Sequence, residues 1–213
     1  MKTTTTLMML TLFNFMAKCQ STDWYPAKTL QSTSYFEING SPILVDSPYG
    51  EAVWFDGIND GLWLDELPLK DLTEFSVEMI FCPDSSEAPF EQRMLHIGED
   101  RGDRMLLELR AVAGNWYFDG YAASGSNKKA LIDENKLHPL GQWNHVAFVV
   151  TPGSLTTFVN GKQELYEEFP FLPIVSGKTS IGARLDKRSW FKGAIFRIRI
   201  SPKAIRPNEF MTF

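Results

Sequence analysis

Between residues 52 and 200 the chain is cut into short apolar runs, each stopped by Gly, Asn, Asp or Pro. Residues 52–55 run into Asp56-Gly57-Ile58-Asn59-Asp60-Gly61, and Leu62-Trp63-Leu64 comes next. Residues 75–81 stop at Pro83, and residues 104–110 alternate into Ala113-Gly114-Asn115 before Trp116-Tyr117-Phe118 returns. Residues 143–150 end at Thr151-Pro152-Gly153, residues 155–159 meet Asn160-Gly161, and residues 178–182 and 191–200 complete the series. Asn-Gly readily adopts the positive φ angles of a two-residue turn, so that pair predicts a tight hairpin. Short strands with turn chemistry between them, and almost no helical period, predict an all-β fold of two packed antiparallel sheets, a β-sandwich or jelly roll. Residues 85–91 and 124–140 are polar or broken by Gly and Pro and read as loops. Successive strand side chains point to opposite sides. In residues 194–200 this places Phe196, Ile198 and Ile200 on a core face, with Arg197 and Arg199 on a face left to solvent or ligand.

A length of 213 residues suits one domain with a sizeable core. The 16 Phe, 6 Trp and 6 Tyr supply that core and leave rings over for other work. Net charge is −5 and no Lys/Arg block occurs, which excludes a nucleic-acid partner of the usual basic kind.

Residues 1–19 differ from the rest of the chain. Lys2 precedes an uncharged, largely apolar run over 7–17, then Cys19 and the polar Gln20-Ser21-Thr22-Asp23. That order describes a secretory signal, and the run is too short for a membrane-spanning helix, which needs about 20 apolar residues. Either Ala17-Lys18-Cys19 is cleaved by a signal peptidase, or Cys19 is the lipid-modified first residue of a surface or periplasmic lipoprotein. The expected organisation is a signal over 1–19 and a single domain over 20–213. Cys82 lies in an apolar run and reads as a buried free thiol, so disulfides are not expected.

Five segments, in order, resemble the laminin-G-like domains of the concanavalin A-like lectin/glucanase superfamily. Residues 52–60, with Phe55-Asp56-Gly57 and Asp60, are similar to the opening strand and turn, and residues 72–79 to the next strand. Gly141-Gln142-Trp143-Asn144-His145-Val146-Ala147 matches the G-x-W-x-H-V-A pattern, and Phe158-Val159-Asn160-Gly161-Lys162 the Asn-Gly hairpin. Phe191-Lys192-Gly193-Ala194-Ile195 through Arg199-Ile200, with Ala204 and Glu209, is similar to the closing segment. The resemblance covers about residues 50–210. It implies a jelly-roll sandwich and a role in polysaccharide recognition, with structural Ca²⁺ near the opening turn in some members. Phe196 and Arg197 stand where the family often carries acidic residues, a departure that weakens the metal site.

Asp56, Asn59 and Asp60 put three hard oxygens within five residues, the ligand type Ca²⁺ takes; the competing reading is a tight Asx turn. Trp63, Trp116, Tyr117, Tyr121 and Trp190 are candidates to stack on sugar rings, and Arg197 to meet a sulfate or uronate. Trp54 and Trp143 are expected in the core, and His145 as a structural residue. Catalysis has less support. Retaining glucanases of this fold place carboxyls two residues apart on one strand, and here none of the 26 Asp and Glu residues has an acidic neighbour at that spacing. Arg104, Glu108 and Arg110, with His96 and Tyr117-Phe118-Asp119-Gly120-Tyr121, bear a passing similarity to alginate-cleaving lyases. In this chain the His segment precedes the Arg segment instead of following it, and Asp119 replaces a lysine. The reading favoured is an exported, non-catalytic, lectin-like polysaccharide binder. Its alternatives are a polysaccharide lyase or hydrolase on the same fold and an adhesion module that binds protein.

Overall fold

The computed structural model describes residues 20–32, 36–86 and 88–212. The expected signal over residues 1–19, Cys19 included, lies outside the described residues. In chain order the elements are β1 (Thr22–Trp24), α1 (Pro26–Gln31), β2 (Phe36–Asn39), β3 (Ile43–Ser47), β4 (Gly50–Asp56), β5 (Gly61–Leu64) and β6 (Phe75–Pro83). Next come β7 (Glu91–Gly98), β8 (Arg104–Val112), β9 (Asn115–Ser124), β10 (Asn127–Ile132) and β11 (His138–Pro139). The chain closes with β12 (Asn144–Thr151), β13 (Ser154–Val159), β14 (Lys162–Glu168), β15 (Lys178–Ile181) and β16 (Lys192–Ser201).

Two antiparallel sheets result. The first runs β14-β13-β12-β6-β16-β4-β3, with β1 paired to β16. The second runs β10-β9-β8-β7-β15-β5-β2, with β11 paired to β9. Their inner faces share one hydrophobic core. Val77, Met79 and Phe81 of β6 and Val146, Phe148 and Val150 of β12 meet Leu107 and Leu109 of β8 and Trp116 and Phe118 of β9. Alternation at two-residue spacing is what sends these side chains inward and their neighbours outward. The all-β sandwich is therefore the fold, and Asn160-Gly161 makes the β13–β14 hairpin with positive φ at both residues.

Several expectations need correction. Residues 124–140 are not all loop, because β10 pairs with β9 from Asn127 to Ile132 and β11 adds two more residues. Phe196 is not in the core either. The β16 register shifts between Ile195 and Arg197 against β6, a bulge that turns Phe196 and Arg197 to the same outer side while Ile195, Ile198 and Ile200 stay inside. Phe196 packs instead against Tyr25 and Tyr49, with ring centroids 5.7 and 5.6 Å away. Trp54 and Trp143, expected inside, are half-buried, and the free thiol of Cys82 is half-buried as well.

The outer face of the first sheet is largely covered by the C-terminal segment. Ile205 and Phe210 pack on Ala147, Val149 and Phe158. Beneath them Glu78 Oε1 accepts hydrogen bonds from His145 Nε2 at 3.0 Å and Met211 N at 2.6 Å. His145 is thus structural, as its sequence context suggests.

Candidate functional site

The outer face of the second sheet carries most of the polar chemistry. Register places Trp63, Ser180, His96, Leu106, Tyr121 and Ala130 in one row across five neighbouring strands and β10. A second row holds Arg93, Glu108 and Asp119, and a third Glu91, Arg110 and Tyr117. On the other side of the first row stand Gly98, Arg104 and Ala123. The alternate residues on these strands, such as Leu95, Ile97, Leu107, Leu109 and Phe118, form the core, so the rows face outward.

Residues 182–190 fold back over one half of this face. Trp63 Nε1 donates to the Leu185 carbonyl at 3.1 Å, and the Arg93 amide donates to the Ser189 carbonyl at 2.8 Å. The Leu185 amide donates to His96 Nδ1 at 3.4 Å, while His96 Nε2 donates to the Glu99 carbonyl at 2.9 Å. Both ring nitrogens are therefore used by a neutral imidazole. Burial, with Arg184 and Arg104 nearby, lowers His96 to about 4, in keeping with that tautomer. Trp190 meets Trp63 edge-on at 5.9 Å, and Lys187 Nζ lies 5.2 Å from the Trp63 ring centre and 2.6 Å from Glu37. A cavity of about 300 Å³ beside Trp63 is lined by Phe36, Glu37, Leu64, Asp65 and Lys178.

The second and third rows form a charge network. Arg93 pairs with Glu91, and its Nε stands 2.5 Å from Glu108 Oε1. Arg110 Nη2 is 2.7 Å from Asp119 Oδ2, 3.4 Å from Glu108 Oε2 and 3.6 Å from Glu91 Oε2. Three carboxylates against two guanidiniums leave one surplus negative charge. Burial pushes Asp119 up to about 8, with the charge and hydrogen bond of Glu108 adding to it, and Arg110 and Arg93 oppose the rise. A proton on Asp119 neutralises the cluster. This is the paired-carboxylate arrangement that no single strand contains, because Glu108 and Asp119 face one another across two strands. Their side chains are 1% and 0% exposed as residues, so the pair lies beneath the surface.

Of the residues expected to bind sugar, Trp63, Tyr117 and Tyr121 share this face, and Trp190 reaches it from the loop. Trp116 does not: it is 0% exposed and packs at 5.2 Å against Phe81 in the core, because it falls on the inward phase of β9. Arg197 lies on the opposite sheet. Its Nη2 is 2.9 Å from Asp23 Oδ2, its Nε 3.0 Å from Asp23 Oδ1, and Asp23 Oδ1 also takes Arg199 Nε at 3.0 Å. Arg197 is thus held by a carboxylate of β1 instead of standing free for a ligand. Sequence reading missed Arg93, Glu91 and the Glu108–Asp119 pair, and the alternation of residues 104–110 was the signal within reach.

The opening turn is accounted for by its own backbone. Asp56 Oδ1 accepts from the amides of Ile58, Asn59 and Asp60 at 2.8, 3.0 and 3.1 Å, and the Asp60 oxygens accept from Ser41 N and Asp56 N. Asn59 contributes its carbonyl to Asn39 Nδ2 at 2.7 Å. Among the described residues no group of three His, Cys, Asp or Glu is placed to hold a metal ion. These bonds are those of a tight Asx turn, and Asp56, Asn59 and Asp60 also line a shared cavity with Gly40, Ser41 and Trp54.

A family model for the concanavalin A-like lectin/glucanase superfamily matches residues 56–210. The chain belongs to that superfamily. No curated protein matches it. Among solved structures, this concanavalin A-like sandwich is similar to domain 4 of AbnA, an extracellular arabinanase from Geobacillus stearothermophilus, in complex with arabinotriose. The TM-score is 0.63 at 22% identity, covering 82% of this chain and 84% of that one. It is similar to a heptameric SAP-like pentraxin from Limulus polyphemus at TM-score 0.59 and 17% identity, covering 74% and 78%. The binding domain of botulinum neurotoxin DC, solved with SialylT, gives 0.57 at 9% identity over 82% of this chain and 44% of that one. At such identities the likeness is one of fold.

Proposed function

We propose that this concanavalin A-like chain is an exported, non-catalytic carbohydrate-binding protein that holds a polysaccharide on the outer face of its second sheet. The observation that carries the proposal is the pair of partly exposed rings Tyr121 and Trp190 on that face, with the buried Trp63 and Tyr117 and a network of guanidiniums and carboxylates beside them. Aromatic rings offer the apolar faces of sugars a platform, and the polar groups around them fix orientation. Two of the structural neighbours, the arabinanase domain and the neurotoxin binding domain, were solved with saccharide ligands, which supports the same reading. Export, with Cys19 either removed or carrying a lipid, rests on the order of residues 1–19.

One observation favours a second reading. Glu108 and Asp119 face each other with Asp119 raised to about 8, the electrostatic asymmetry a general acid requires. Their burial beneath Arg93 and Arg110 argues for a structural pair. Residues 20–213 run through gels containing neutral, uronic and sulfated polysaccharides separate the readings. Retardation without new reducing ends is the expected result. New chain ends that vanish in Glu108→Gln replace binding with cleavage, by elimination if absorbance at 235 nm rises and by hydrolysis if it does not, and retention by no polysaccharide overturns the proposal.

A further inference from the structure

Every arginine of the described chain except Arg104 stands within 4.0 Å of a carboxylate. Arg104 has only neutral partners. Its Nη1 donates to the Gly102 carbonyl at 2.6 Å, its Nη2 to the Tyr121 hydroxyl at 3.1 Å, and its Cζ lies 5.0 Å from the Tyr121 ring centre. The residue is 7% exposed, and Nε is buried without a hydrogen-bond partner. A guanidinium withdrawn from water with no counter-charge is unfavourable unless an anion completes it.

The nearby acidic side chains are engaged elsewhere. Asp103 Oδ1 accepts from Gly125 N at 2.7 Å, Glu99 accepts from Ser176, and Asp100 lies beside Arg101 and Arg184. The cross-strand neighbours of Arg104 are Gly98 and Ala123, one without a side chain and one with a methyl, so neither strand raises a bulky group beside it. Two protein bonds hold the fork still and leave further N–H donors for a planar or tetrahedral oxyanion, the geometry guanidinium suits best.

We propose that Arg104 is the anion-recognising residue of the saccharide face, taking a carboxylate or sulfate of an acidic sugar whose ring lies against Tyr121. The inference rests on the proposed carbohydrate-binding function and specifies its substrate class. The net charge of −5 makes diffuse attraction to a polyanion unfavourable, so retention by one reports a local site.

The test uses residues 20–213 with dextran, arabinan, dextran sulfate and polygalacturonate, each acidic polymer also after desulfation or carboxyl reduction. The expected result is tighter binding to an acidic polymer, lost by about tenfold or more when its acidic groups are removed. Loss on carboxyl reduction identifies a uronate, and loss on desulfation a sulfate ester. Arg104→Gln is expected to weaken the acidic polymer by a similar factor, and Arg104→Lys, which keeps the charge without the fork, to recover part of it. Binding indifferent to carboxyl reduction and desulfation overturns the assignment whether or not the variants fold. Binding to dextran or arabinan alone overturns it while the carbohydrate-binding reading stands. Binding to none of the polymers overturns both.

Discussion

Asp119 and His96 sit on one sheet face, and burial moves them in opposite directions. Asp119 is raised to about 8 in the folded chain against an ordinary value of 3.8, so between those values the native state holds a proton that the unfolded state has lost. Stability then falls as pH rises through that window. His96, lowered to about 4 from 6.5, does the reverse: below 6.5 the unfolded chain gains a proton that the native imidazole refuses. The two oppose each other on the acid side, and above 6.5 Asp119 acts alone. Urea unfolding is therefore expected to show stability declining between pH 6.5 and 8, and Asp119→Asn, a permanently neutral stand-in, should flatten that slope. At the opening turn, Asp56 is lowered because the Asn59, Ile58 and Asp60 amides outweigh its burial. With those oxygens on amides, thermal melts in Ca²⁺ and in chelator are expected to coincide; a rise in Ca²⁺ would mean that binding to the native state is linked to stability after all. The turn was legible as a turn in the sequence. Its spacing alone did not choose between an Asx turn and a metal site, because residue order does not say whether an oxygen points at an amide or into space.

Two segments fix the sandwich from outside its core. The C-terminal segment is fastened where Glu78 accepts from His145 and Met211, all beneath Phe210. Removing one partner leaves the others buried without a bond, so Glu78→Ala is expected to cost about 3–5 kcal/mol in chemical denaturation. Residues 182–190 are rooted at Gly182, whose φ is +83° and where a Cβ would lie 2.4 Å from the Phe55 ring. Gly182→Ala is expected to destabilise by about 2–3 kcal/mol and to loosen the loop that carries Trp190, which amide hydrogen exchange at Leu185 would register. Strand legibility followed the strength of alternation. The runs that became β6, β8, β12 and β16 alternate or are continuously apolar and were readable, whereas Asn127-Lys128-Lys129-Ala130-Leu131-Ile132 has too little apolar pattern to announce β10. The β16 bulge was invisible because one extra residue reverses the phase of all that precede it without altering composition.

At the scale of the molecule, the two sheets divide the labour. The first has its outer side covered largely by the C-terminal segment, and the second keeps its outer side for Tyr121, Arg104 and the charge network. The sandwich and its superfamily were legible because turn residues and core alternation are local signals. The candidate face was half legible: the sequence offered Trp63, Tyr117, Tyr121 and Trp190 one by one, but neighbours in space across β7, β8 and β9 arise only from register. The described chain enters the fold at β1, three residues paired to the end of β16 on the first sheet. Asp23 there is lowered because its bonds to Arg197 and Arg199 outweigh burial, so the carboxylate keeps its charge well into acid. A polysaccharide pulling on the second sheet while residue 20 is held would send its load across the sandwich into this short pairing. The Asp23 fork then acts as a mechanical staple, the point whose strength sets how hard the protein can be pulled before its N-terminal strand peels away.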